Sequence, residues 1–329
     1  MSLKPDRLIL REALRDEELL NALLDQVDAG VYIVDRSRRI LYWNTGAERI
    51  TGYLSQDVAG RFCHGDLLMH CDAAGAGMCG TGCPLLAVMK DGQPRECTLF
   101  LRHRNGHRVP VQVRSRSIVD STGATIGALE VFHEIRGGAR PDAGVLEQFG
   151  CLDPVTGVAN RRYGEMKVAH ALETLETFGL PFGWLQIELD GLEELEHRFG
   201  REMIDAAAKM IARTLDANLG PLDLLMSWGR AAFRIKVHGC THQGLAELAE
   251  KLVALARVSN LEWWGDPRRV TVAIAGGMAQ RRDTIESLEA RVAEVLMNCR
   301  ASGGNRAMIH GERIDLRAIR PERSDDLNT

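Results

Sequence analysis

No apolar run in this chain of 329 residues approaches the roughly 20 residues that a membrane-crossing helix needs. The N-terminus also lacks the apolar core of a secretion signal. Net charge is nearly absent: 41 lysines and arginines against 45 aspartates and glutamates leave −4, with a pI of about 6.2. A basic field for nucleic acid or for an anionic membrane surface is therefore not expected. These absences predict a cytoplasmic protein with no nucleic-acid and no membrane partner. The 8 cysteines are then expected to be reduced, which favours metal or redox chemistry over structural disulfides. What is present, 45% hydrophobic and 26% charged residues, is the composition of a globular protein long enough for two domains with full cores.

Residues 6–27 carry Ile9, Ala13, Leu20, Leu23 and Val27 at three-to-four spacing with charges between them, which predicts a helix. Two readings of its apolar stripe stand: a cap packed on the following domain, or a coiled-coil seam of a homodimer that Asp16 interrupts. GVYIVD and RILYWN then read as two strands, AERITGYLSQDVAG as short helices, and residues 95–135 as three longer strands in period two with turns at NG and STG. Asn44 in YWN, TGY at 51–53, Gly60, the NGH turn at 105–107 and G-x-x-x-G-A-L-E-V at 123–131 occur in the order and spacing of a PAS domain, which this stretch resembles. The resemblance implies a five-stranded antiparallel sheet in a sensor domain over residues 28–135, behind an N-terminal helix at 1–27.

RGGARPDAG, at 136–144, has linker composition, and a linker is expected over 136–150. Beyond it, helices and strands alternate to about residue 312, and a flexible charged tail is expected over 313–329. Within this second domain DPVTGVANRR, IELDGLEELEHRFG and GGNRAM resemble the opening, the D-I-D segment and the C-terminal segment of GGDEF domains, the diguanylate cyclase family. The hairpin LDLLMSWGRAAFRIKV at 222–237 occupies the place of the Gly-Gly-Asp/Glu-Glu-Phe signature and reads Gly229, Arg230, Ala231, Ala232, Phe233. The whole chain is thus expected to be α/β (α+β): a PAS domain followed by an α/β domain with a central, mostly antiparallel sheet.

The resemblance implies condensation of two GTP into cyclic di-GMP with two divalent cations held on carboxylates. Glu188 stands at one ligand position, but Ala231 stands at the other and Ala232 at the neighbouring acid. Arg230 is expected to fill the space that a second glycine leaves for the nucleotide. Glu193 and Glu196 replace the family's Lys and guanine-reading Asn, Asp205 retains the second guanine reader, and Arg300 keeps the charge of the phosphate-binding Lys. The nucleotide-binding candidates are therefore Glu188, Glu196, Asp205 and Arg300, with no catalytic residue. Asp223 remains from the inhibitory product site, whose Arg has become Gly220. Three roles stand for this domain: receptor for a guanine nucleotide such as GTP, interaction module for an unknown protein partner, or a cyclase with residual activity.

Half of the cysteines fall in one glycine-rich stretch. Cys63, Cys71, Cys79 and Cys83 lie within 21 residues, with His64 and His70 interleaved as alternative ligands. Four thiolates make a closed zinc or iron–sulfur site, although intervening lengths of seven, seven and three match no zinc-finger template. A redox-switchable disulfide and four thiols packed as small hydrophobes are the other two readings. Haem ranks lower among competing thiols, and no photoreactive-cysteine motif of flavin-binding light sensors is present. Cys97 is expected to pack, and His107 to lie at the surface.

Overall fold

A computed structural model of the chain describes residues 16–135 and 143–310. The expectations for residues 1–15, for the first part of the linker (136–142) and for the tail lie outside the described residues.

The chain divides into two compact units, one round each of two five-stranded sheets. In the first, helix α1 (Glu17–Asp25) starts at Asp16, whose carboxylate accepts from the Glu18 and Leu19 amides. Strands β1 (Gly30–Asp35) and β2 (Ile40–Trp43) follow, then the short helices α2 (Thr45–Thr51) and α3 (Ser55–Val58), helix α4 (Pro84–Asp91), and strands β3 (Arg95–Arg102), β4 (Arg108–Val119) and β5 (Thr125–Glu134). The sheet order is β2-β1-β5-β4-β3, antiparallel throughout, as the period-two pattern predicts. One face buries Tyr32, Val34, Val111, Val113, Ala128 and Phe132, while alternate residues such as Arg114 and Arg116 point to solvent. Gly30 must be glycine: a Cβ there would lie 2.2 Å from the Phe132 ring.

Asn44, between β2 and α2, ties three elements together. Its Oδ1 accepts from the Val31 amide at 2.7 Å and the Ala47 amide at 2.8 Å. Its Nδ2 donates to the carbonyls of Leu24 and Ala29 at 2.9 and 3.0 Å.

Residues 143–310 begin with α5 (Ala143–Gln148), inside the stretch expected to be linker, and α6 (Arg161–Phe178). Then come β6 (Phe182–Leu189), α7 (Leu192–Phe199), α8 (Arg201–Asp216), the hairpin β7 (Leu224–Gly229) and β8 (Ala232–His238), and α9 (His242–Arg257). A small hairpin β9 (Leu261–Trp263) and β10 (Asp266–Arg268) precedes β11 (Val272–Met278), α10 (Ile285–Ala301) and β12 (Arg306–Ile309). The sheet order is β12-β11-β6-β8-β7, with β11–β12 parallel and the other pairs antiparallel. β6 is central and buried on both faces, which is why it reads as a near-continuous apolar run. Val168 and Leu175 of α6 and Leu288, Val292 and Leu296 of α10 pack on one face, against Phe182, Trp184, Ala273 and Ala275. Among the described residues no helix is long and apolar enough to cross a membrane.

Candidate functional site

The site lies where β6 ends beside the β7–β8 turn. The expected hairpin is present, and its register sets Glu188 directly across from Ala232, with the Leu189 amide donating to the Ala231 carbonyl at 3.2 Å. The turn is tight. Gly229 has φ 139° and Ala231 φ 50°, and the Ala231 methyl is buried. Positions where two carboxylates could join Glu188 around a cation thus carry two methyl groups.

Both carboxylates on this side are already engaged. Arg300, in the last turn of α10, donates from Nη1 to Glu188 Oε2 at 2.6 Å. Arg230 forms an ion pair with Glu196 on α7. The hydrogen bond from Arg230 holds the Glu196 carboxyl below its usual range. The same bond, then the charges of Glu196 and Asp205, hold the guanidinium above its own. The structure therefore brings Arg230, Glu196 and Asp205 into one electrostatic group, and Glu188 and Arg300 into another. Arg230 does not simply fill space toward a nucleotide, as its size suggests; it reaches across to α7.

Asp190, two residues beyond Glu188, is structural. Its Oδ2 accepts from Thr271 Oγ1 at 2.7 Å and the Asn305 amide at 2.8 Å. Gly304 (φ 62°) has no room for a side chain, since a Cβ would sit 2.3 Å from Asp190 Oδ1. Asp223 is likewise occupied: its Oδ1 accepts from the His238 amide across the hairpin. The opening motif is a folded turn. Asp153 accepts from the amide and hydroxyl of Thr156, and Asn160 caps α6 at the Tyr163 amide while its Nδ2 holds the Gly150 carbonyl at 2.7 Å.

A divalent cation, implied by the resemblance to the cyclase family, does not fit this donor set. A hard cation takes several oxygen ligands, and here one carboxylate is neutralised by Arg300 while methyl groups stand beside it. Among the described residues no group of three or more His, Cys, Asp or Glu is placed to hold a metal ion.

The cysteine loop shows no such group either. All eight thiols are free, and the four of the 61–84 loop do not converge on a closed site. Cys63 and Cys83 are buried in the apolar core of the first unit. Cys71 is drawn to another partner, bridging β3 through paired backbone bonds with Phe100 of 2.9 and 3.0 Å. Cys79 is half-buried, and Arg38 Nη1 holds its carbonyl at 2.7 Å. Burial pushes the thiols of Cys63 and Cys79 up and that of Cys71 to about 11, so with no cation beside them they are neutral. Cys97 packs against the core as expected. His107 is not a plain surface residue: it is half-buried and stacked on His103 at 4.3 Å.

Two polar clusters escaped the sequence reading. Glu289 of α10 forms a two-pronged ion pair with the buried Arg234 of β8 at 2.9 and 3.1 Å and accepts from Trp184 Nε1 at 2.9 Å. Glu130 of β5 is buried in the first unit; it occupies an inward position between Ala128 and Phe132, a placement that the period-two pattern could have revealed.

A five-stranded antiparallel sheet thus precedes an α/β domain with a five-stranded mixed sheet. Residues 18–135 match the PAS fold, and residues 151–306 match the family described as "Diguanylate cyclase, GGDEF domain"; the chain is a PAS domain followed by a GGDEF domain of that family. The probable diguanylate cyclase DgcE of Escherichia coli (strain K12) is 22% identical over 264 residues, which are 79% of this chain and 23% of that protein. The chain therefore spans about a quarter of that relative's length. Among solved structures, the diguanylate cyclase SiaD of Pseudomonas aeruginosa, in complex with its activator SiaC, is 19% identical with a TM-score of 0.48, covering 50% of this chain and 64% of that one. The FimX GGDEF domain of the same organism is 20% identical with a TM-score of 0.46, covering 48% and 98%.

Proposed function

We propose that this chain is a PAS-coupled signalling protein whose GGDEF domain does not make cyclic di-GMP and acts instead as an interaction module. The observation that carries the reading is the pairing at the hairpin. Glu188 faces Ala232, Ala231 is its buried neighbour, and Arg300 neutralises the one carboxylate left. Phosphoryl transfer between two GTP molecules depends on cations that neutralise the phosphates and activate the attacking hydroxyl, and this surface offers them no set of ligands.

The test is incubation with GTP and Mg²⁺ or Mn²⁺, followed by chromatography. No cyclic di-GMP is expected. Product above a no-protein control, lost in Glu188→Ala, overturns the reading. Ala231→Asp alone is expected to stay inactive, because Glu193, Glu196 and Arg230 remain.

Retention of Asp205 and Arg300 favours a second role, reception of a guanine nucleotide without turnover. Equilibrium dialysis with labelled GTP separates the two: saturable binding weakened by Asp205→Ala supports reception, and none supports the interaction module alone. The chain is proposed to work as a homodimer through its N-terminal helix and the PAS domain; on α1 Leu19, Leu20, Leu23 and the following Val27 are exposed. Sedimentation at tens of micromolar, the range in which a weak seam assembles, is expected to give a dimer; a monomer rejects it.

A further inference from the structure

Glu130 lies on the core face of the PAS sheet, with 1% of its surface exposed. It stands in register between Tyr32 of β1 and Ser115 of β4, both fully buried. The Tyr32 hydroxyl donates to Oε1 at 2.7 Å and the Ser115 hydroxyl to Oε2 at 3.0 Å. Both donors are neutral. A carboxylate shut in such a core without a cation is costly, and burial shifts it toward its protonated form.

The groups facing it do not supply the missing charge. Cys63 and Cys79 of the covering loop and Cys97 of β3 feel its field, and burial keeps each a neutral thiol. Burial likewise keeps Tyr32 protonated. The helix α4 packs on β3, β4 and β5 and buries Pro84, Leu85 and Val88; α2 packs on β1 and buries Gly46, Ala47, Ile50 and Thr51. None of these titrates. Arg38, the cation acting on the same thiols, donates to the Cys79 carbonyl and to Cys83 Sγ at 3.8 Å, not to Glu130.

We propose that Glu130, Tyr32 and Ser115 form a proton-responsive switch in the PAS core: release of the Glu130 proton strands a charge between β1 and β4 and loosens the sheet and the helix α4 over it. A glutamine would satisfy both hydroxyls without ever ionising, so the carboxyl adds the ability to titrate. Its position suits an output role. β5 is the last strand of the domain, and the chain runs from it toward the GGDEF domain. The switch stands whether or not that domain binds or turns over GTP.

Burial raises the Glu130 carboxyl from 4.5 to about 7, against smaller lowering by the two hydrogen bonds. Because the folded value is the higher one, the folded chain holds the proton where the unfolded chain has lost it. The stability it lends is complete below about 4.5 and disappears as pH rises through about 7.

The experiment is hydrogen exchange by mass spectrometry on the full chain at pH 6 and pH 8, corrected for intrinsic rates, for wild type, Glu130→Gln and Ser115→Ala. Wild type is expected to exchange several-fold faster in β1, β4, β5 and α4 at pH 8. Glu130→Gln is expected to abolish that difference and to melt higher than wild type at pH 8 but not at pH 5. Ser115→Ala removes a donor to the ionised form, so its transition midpoint is expected to move to higher pH. Equal wild-type protection at both pH values, a difference that persists in Glu130→Gln, or an unmoved midpoint in Ser115→Ala overturns the proposal. Should Glu130→Gln not fold, the wild-type and Ser115→Ala profiles decide.

Discussion

Arg300 Nη1 lies 2.6 Å from Glu188 Oε2, so the one acid left at the metal position of the GGDEF domain is matched to a cation of its own chain. This pair is partly exposed, with 54% and 30% of the two side chains open to solvent. Such pairs contribute roughly 0–1 kcal/mol. Arg300→Ala is therefore expected to shift the urea midpoint little, and a loss of several kcal/mol would mean that the pair holds the fold together.

The Arg230–Glu196 pair is an electrostatic statement that NMR can read. Arg230→Ala is expected to return the Glu196 carboxyl from its lowered value to the ordinary range in a pH titration of labelled glutamates. A depressed folded value lends stability above the unfolded value, lost as pH falls; the variant is thus expected to lose only this carboxyl's small share of the acid-side pH dependence. An unchanged Glu196 titration would exclude the ion pair in solution.

The Arg234–Glu289 pair differs because it is buried. Arg234 keeps 8% of its side chain exposed, and removing its partner leaves a guanidinium in the interior. Glu289→Ala is expected to cost about 3–5 kcal/mol in chemical denaturation. Replacing both residues with apolar ones of similar volume is expected to recover most of it. A Glu289→Ala loss under about 1 kcal/mol would show that water reaches Arg234.

Gly304→Ala is expected to destabilise by about 1–3 kcal/mol, through a positive φ and a collision with the Asp190 carboxylate. Asp190→Ala combined with it is expected to cost less than the sum of the two changes, since the collision partner is gone.

Both sheets were legible because their strands carry strong local patterns: alternation in β3 to β5 and an apolar run in β6. The β7–β8 hairpin was legible from its turn. The β9–β10 hairpin was not, because its strands have three residues each, too few to show a period, and Pro267 argues against a strand. Helix α5 hid behind the glycines and proline of the preceding segment. Spacing along the cysteine loop does not say where side chains turn: Cys63 faces the core, while Cys71 pairs with β3. The Arg234–Glu289 pair joins residues 55 apart in sequence, and no local pattern encodes such a partner.

Asn44 has a mechanical consequence. One planar amide grips the end of α1, the start of β1 and the first turn of α2 through four hydrogen bonds. Apolar surfaces can slide over one another with little penalty, but this joint cannot. A displacement of α1 along its axis must carry the strand and the second helix with it or tear the joint open. The amide is a rivet through which force on the helix enters the sheet.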